Sequence, residues 1–121
     1  MSEPALAAAA GRVLSRNDTG RMITASPLLY PHMWSWDAAF VTVGLAHLSV
    51  ERAGRELATL FAAQWSDGMV PHIVFSEAEG YFPGPRRWGA HELSPHAPAE
   101  PKTSGICQPP VHAIALHALL Q

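Results

Sequence analysis

Residues 38–47 constrain the fold of this chain most strongly, because they have the composition of a helix but offer no polar face. Alanine, phenylalanine, valine and leucine fall on nearly every side of a helix drawn through them. Such a helix has to be surrounded by other protein. We therefore expect an inner helix here, starting near Asp37, whose carboxylate suits the unsatisfied amides of a first helical turn.

A second helix follows with a different pattern. Ser49 is a typical N-cap residue. Apolar side chains recur at helical spacing on one side, at Val50, Ala53, Leu57, Leu60, Phe61 and Trp65. Charged and polar side chains cover the other side, at Glu51, Arg52, Arg55, Glu56 and Thr59. This pattern predicts a half-buried helix with one solvated face.

The last segment is again apolar nearly all round, from residue 111 to residue 120. We expect Pro109 and Pro110 in its first turn, where a missing N–H group has no partner to lose. Residues 69–106 carry many prolines and glycines without a helical period, which predicts a long functional loop. The order inner, outer, loop, inner predicts an all-α fold with two concentric layers.

Composition excludes several classes of function. The 121 residues fit one domain, and the net charge of −2 with a single adjacent basic pair, Arg86 and Arg87, argues against nucleic acid as a partner. No stretch reaches the roughly 18 apolar residues of a membrane span. Cys107 is the only cysteine and is expected to be a buried structural thiol in a cytoplasmic protein. Without paired metal-ligand motifs or a phosphate loop, we predict no metal and no cofactor.

An aromatic run precedes the first inner helix. Tyr30, Trp34 and Trp36 lead directly into Asp37. On an extended segment the two tryptophans would face the same way and could flank a sugar ring. The alternative is that both are hydrophobic plugs beneath a loop, since tryptophan is mostly buried.

Two polar residues precede the two apolar helices in the same way. Asp37 can bind sugar hydroxyls, act as an acid or base, or only cap its helix. Gln108 has donors and an acceptor and can therefore read hydroxyl orientation, or it can satisfy loop backbone instead. Both interpretations stay open for each residue.

Three blocks of sequence resemble the glucosylglycerate and mannosylglycerate hydrolases, bacterial relatives of processing α-glucosidases and trehalases. The blocks are WSWDAAF at residues 34–40, QWSDGMVPH at residues 64–72 and TSGICQPP at residues 103–110. They occur in order, and the resemblance extends over residues 30–121.

The resemblance implies a partial (α/α)6 toroid, with alternating inner and outer helices and long pocket-forming loops. It implies hydrolysis of an α-glycosidic bond with inversion, by one carboxylic acid and one carboxylate that activates water. By similarity, substrate-pocket positions fall on Tyr30, Trp34, Trp36, Asp37 and Gln108, and Tyr81 matches a loop tyrosine that closes over the ligand. Asp37 and Gln108 would hold hydroxyls of the sugar.

The acid and base of this family lie further along the chain than residue 121, so we assign no catalytic residue here. We expect residues 1–29 to be an N-terminal helix and connector, and residues 30–121 to be the first part of a toroid domain completed by a missing C-terminal remainder. A small glycoside is the expected partner. The alternatives are a non-catalytic carbohydrate-binding or interaction module, and part of a trehalase-like hydrolase.

Overall fold

The computed structural model describes residues 2–121 and is mostly helical, with one small sheet. Its elements in chain order are α1 (Glu3–Asn17), β1 (Met33–Trp34), α2 (Ser35–Ala46), α3 (Val50–Phe61), β2 (Ile73–Val74), α4 (Pro85–Trp88), α5 (Ala90–Leu93) and α6 (His112–Leu119). Among these residues, no helix combines the length and the apolar character that crossing a membrane requires.

Helix α2 is the centre of the helical part, since it packs against both α3 and α6. Ala39 of α2, Leu57 of α3 and Ala115 of α6 form one buried cluster. Two of these three side chains are a single methyl group, which lets the three backbones approach closely. The buried hydroxyl of Thr42 donates to the Ala38 carbonyl 2.8 Å away, so the inner face of α2 carries no unsatisfied side chain at this point.

Helix α3 begins as its sequence predicts but differs on its outer face. Ser49 caps it, accepting a hydrogen bond from the Arg52 amide at 3.2 Å. Glu56, expected on the solvated side, is 1% exposed. Its two carboxylate oxygens accept from the Ile23 amide at 3.1 and 3.3 Å, because the connector after α1 lies across this part of the helix.

Helix α6 begins at His112, with Val111 as its N-cap residue. Pro109 and Pro110 therefore precede the helix, and the prediction that they form its first turn was wrong. Helical geometry is disfavoured for a residue that precedes a proline. Gln108 and Pro109 each precede a proline, so the helix starts after the proline pair. Cys107, expected to be buried, is an exposed free thiol.

The two apolar helices are only partly covered within this chain. Phe40 of α2 is 60% exposed and Ile114 of α6 is 66% exposed. Residues 2–121 alone therefore do not enclose these helices, as expected for helices that other protein has to surround. A single partly polar helix, α3, cannot shield two helices that have no polar face.

The small sheet corrects the all-α prediction. Strands β1 and β2 pair antiparallel, with Met33 opposite Val74 and Trp34 opposite Ile73. Thr103 adds an isolated bridge to Val74. The sheet fixes the start of the long loop against the segment that leads into α2, and it places Trp34 beside that loop.

Candidate carbohydrate-binding site

Trp34 is the centre of an aromatic wall, which consists of the side chains around it from the segment before β1 and from the long loop. The side chain is 9% exposed and packs with Ile73 and Phe75. Tyr30 meets its ring edge-on at a centroid distance of 5.4 Å, and Tyr81 does so at 5.3 Å. The structure thus brings together three of the predicted site residues, which are separated by up to 51 positions in the sequence.

Trp36 does not belong to this wall. The strand ends at Trp34 and the helix begins at Ser35, so Trp36 lies in the first turn of α2. Its ring is 42% exposed and its nearest aromatic neighbour is Phe40, at 6.3 Å. The expectation that Trp34 and Trp36 face the same way was wrong, because it required an extended chain through both residues.

Gln108 reaches the start of α2 from a position 72 residues away in the sequence. Its side-chain Oε1 accepts a hydrogen bond from the Trp36 amide at 3.1 Å. Because that amide can only donate, the oxygen of the Gln108 side chain is fixed toward the helix and the NH2 group is directed away from it. Gln108 therefore lies at the same helix mouth as Asp37, the residue after Trp36.

Asp37 is half-buried in the first turn of α2. Burial raises the pKa of its carboxyl group, while its own amide and the Trp36 side chain lower it. The amides of a helical first turn favour a negative charge at this position. The site thus presents a carboxylate acceptor and an amide donor next to an exposed indole, which is a combination suited to hydroxyl groups on an apolar ring.

One contact near this mouth carries no sequence signal. The hydroxyl of Ser35, at the start of α2, lies 2.8 Å from Nε2 of His112, the first residue of α6. Ser35 is fully buried, and the bond joins the N-terminal ends of the two apolar helices. The pKa of His112 is lowered by burial, and the Ser35 contact opposes that shift. Nothing in the spacing of these two residues predicts their contact.

A cavity of about 680 Å³ adjoins the wall on the side of Tyr81 and His32. Its size is within the range of small-molecule sites. The rim carries both signs of charge, from Arg86, Arg87, Lys102, Glu77, Glu79 and Glu100. Lys102 lies 3.5 Å from Glu100, so part of the positive charge is already paired.

A family model described as "Mannosylglycerate hydrolase MGH1-like glycoside hydrolase domain" matches residues 30–121. The chain belongs to this family. It is 62% identical over 117 residues to the glucosylglycerate hydrolase of Mycolicibacterium hassiacum, a match that covers 96% of this chain and 26% of the relative.

Solved structures agree with this assignment. The GH63 mannosylglycerate hydrolase of Thermus thermophilus, in complex with Tris and D-glycerate, superposes with a TM-score of 0.81 at 43% identity. The same enzyme in complex with glucose superposes with a TM-score of 0.72 at 46% identity. Each match covers 94% of this chain and 26% of the neighbour. The chain therefore spans about a quarter of the length of the relatives that it matches.

Proposed function

We propose that this chain forms part of the sugar-binding wall of an inverting α-glycosidase that hydrolyses glucosylglycerate or mannosylglycerate. The observation that carries the proposal is the hydrogen bond from the Trp36 amide to Gln108 Oε1. It holds Gln108 beside Asp37 at one helix mouth, next to an exposed indole. Family membership and the printed activities of the relatives supply the reaction class.

The chemistry of each residue supports a separate role. Asp37 accepts hydrogen bonds from two sugar hydroxyls, and the free NH2 group of Gln108 donates to a third oxygen. Trp36 covers an apolar face of the sugar. Tyr30 and Trp34 form the adjoining wall, and Tyr81 closes over the ligand from the long loop.

The catalytic pair lies outside residues 1–121 in this proposal. Inverting hydrolysis needs one carboxylic acid to protonate the leaving oxygen and one carboxylate to activate water. Helices α2 and α6 are then two inner helices and α3 is an outer helix of an (α/α)6 toroid. The packing of α2 between α3 and α6 supports this arrangement, as do the uncovered apolar side chains of α2 and α6.

The proposal is tested with a chimera, in which this chain replaces the matching quarter of the Mycolicibacterium hassiacum glucosylglycerate hydrolase. We expect the chimera to hydrolyse glucosylglycerate and to release the inverted anomer first, as seen by nuclear magnetic resonance (NMR) of the product. The 121-residue chain alone should show no turnover on glucosylglycerate or mannosylglycerate.

Asp37→Asn in the chimera should lower kcat/KM roughly ten- to hundredfold, because a hydrogen bond to a charged group contributes about 1.5–3 kcal/mol. Glu51→Gln is the matched control, since Glu51 is exposed on α3, away from this mouth. Equal effects of the two substitutions would contradict the role of Asp37. A chimera that binds the glycoside without cleaving it would support the binding-module alternative.

A further inference from the structure

His32 is the most deeply buried side chain of the aromatic wall. It is 1% exposed. Its ring stacks against Trp34 at a centroid distance of 6.0 Å and meets Phe75 at 4.9 Å. Tyr81 lies edge-on against the same ring at 5.1 Å. His32 therefore contacts both Trp34 on β1 and Tyr81 on the long loop.

The hydrogen bonds of Ser76 determine which form of the His32 ring fits. The Ser76 amide donates to His32 Nδ1 at 3.1 Å. The Ser76 hydroxyl donates to the Pro31 carbonyl at 2.7 Å and accepts from the Ala78 amide at 3.1 Å. Nδ1 lies 3.1 Å from both the Ser76 amide and the Ser76 hydroxyl oxygen. Because the amide can only donate and the hydroxyl proton is directed to Pro31, we assign Nδ1 as the acceptor of the amide and place the ring proton on Nε2.

We propose that His32 is a positioning residue, which holds the loop that carries Tyr81 against the Trp34 wall through its neutral, Nε2-protonated ring. Ser76 is the first loop residue fixed in this way, and Tyr81 follows it by five positions. His32 itself touches no ligand. The inference rests on the proposed function, because it assigns to Tyr81 a contact with the glycoside.

Protonation of His32 would remove the hydrogen bond from the Ser76 amide. Nδ1 would then carry the second ring proton and could no longer accept from the amide, which leaves the Ser76 hydroxyl oxygen, 3.1 Å away, as its remaining partner. Nε2 has no hydrogen-bond partner among residues 2–121, so the cation would gain no compensating contact there. Burial lowers the pKa of His32, which keeps the ring neutral to lower pH.

The charged groups near the ring lie at the rim of the cavity. On the loop itself these are Glu77 and Glu79, and from the remaining elements they are Arg86, Arg87, Glu100 and Lys102. Tyr30 and Tyr81 are the nearby phenols. The described hydrogen bonds connect none of these groups to His32, whose side-chain partner is Ser76. The Ser76 contact is thus the interaction that decides the form of the ring.

NMR of the chimera with isotope-labelled histidine tests the ring form directly. We expect the Nε2-protonated neutral signal for His32, and a titration at lower pH than that of a histidine peptide in water. The Tyr81 ring signals should shift in the same titration. An Nδ1-protonated ring, or a peptide-like titration, would overturn the proposal whatever the activity of the protein.

Kinetics of the chimera test the positioning role. His32→Leu should raise KM about tenfold with a much smaller change in kcat, and the effect should largely vanish in a Tyr81→Ala background, because coupled residues are non-additive. His32→Asn places Oδ1 near the position of Nδ1 and should restore most of the lost KM.

The two proposals fail in different ways. If Asp37→Asn impairs the chimera but His32→Leu adds its full effect to that of Tyr81→Ala, then the proposed function stands and the positioning role does not. Failure of His32→Asn to improve on His32→Leu would likewise contradict the role. If Asp37→Asn has no effect, the proposed function itself is wrong, and the NMR result then decides only the form of the His32 ring.

Discussion

Single side chains at the residue scale join parts of this chain that are far apart in the sequence. Gln108 binds the Trp36 amide, His112 binds the Ser35 hydroxyl, and Glu56 binds the Ile23 amide. The first two contacts meet at the start of α2, where the proposed sugar site lies. The third holds the connector after α1 to α3 and involves none of the proposed site residues, so it is expected to affect stability alone.

Glu56 has a measurable consequence for the pH dependence of stability. The pKa of Glu56 is raised from 4.5 to about 7, chiefly by burial and also by the nearby Asp18 charge, against the opposing effects of the Ile23 amide, Arg55 and Arg52. Between those two pH values the folded chain binds more protons than the unfolded chain. The contribution of Glu56 to stability is therefore fully present below pH 4.5 and is lost as the pH rises to about 7.

We expect Glu56→Gln to remove this decline. At about 1.4 kcal/mol per pKa unit, the decline is of the order of 3 kcal/mol at most. The variant should be more stable than the parent above about pH 7 and similar to it near pH 4.5. Urea unfolding of the chimera at several pH values measures this. Glu51→Gln, on the exposed face of the same helix, is the control and should keep the decline; an unchanged decline in Glu56→Gln would refute the prediction.

The helices show, at the element scale, what local sequence can predict. The N-cap at Ser49, the acidic first turn of α2 at Asp37, and the apolar stripe of α3 through Leu57 and Leu60 all depend on neighbours within a few residues. The structure places each of these features as expected. Local sequence was therefore a sufficient guide to these three features, although it misplaced the start of α6.

The features that sequence could not predict depend on distant partners. Trp65 continues the α3 stripe in sequence, but the helix ends at Phe61 and the Trp65 indole donates to Thr103 in the long loop. The strands have two residues each, which is too short for an alternating pattern. For the site, only the family resemblance grouped Trp34 with Tyr81, since no local rule connects them.

The cap of α3 provides a prediction at this scale. Ser49→Ala removes the acceptor for the Arg52 amide and should destabilise the chain by about 1 kcal/mol. Ser49→Gly should cost only a few tenths of that, because glycine also suits an N-cap position. Urea midpoints of the two variants, each made in the chimera, give the comparison. Equal losses for alanine and glycine would show that the side-chain hydrogen bond contributes little.

The uncovered apolar surface determines the behaviour of the whole molecule in isolation. Three apolar side chains are each at least 48% exposed: Phe40 on α2, and Ile114 and Leu116 on α6. A further groove of about 370 Å³ between α3 and α6 is lined almost entirely by apolar side chains, including Phe61 and Leu116. Contiguous apolar surface of this kind promotes association with other surfaces.

We expect the isolated 121-residue chain to self-associate or to behave as a molten species. Phe40→Ser combined with Ile114→Ser should shift sedimentation profiles toward the monomer at equal protein concentration, because both side chains lie on helices that lack a polar face. Leu28→Ser is the matched control, since Leu28 is 92% exposed on the connector outside these helices. A monomeric parent with a sharp cooperative melt would contradict the prediction. An equal shift from Leu28→Ser would show that association comes from exposed apolar side chains in general and not from the faces of α2 and α6.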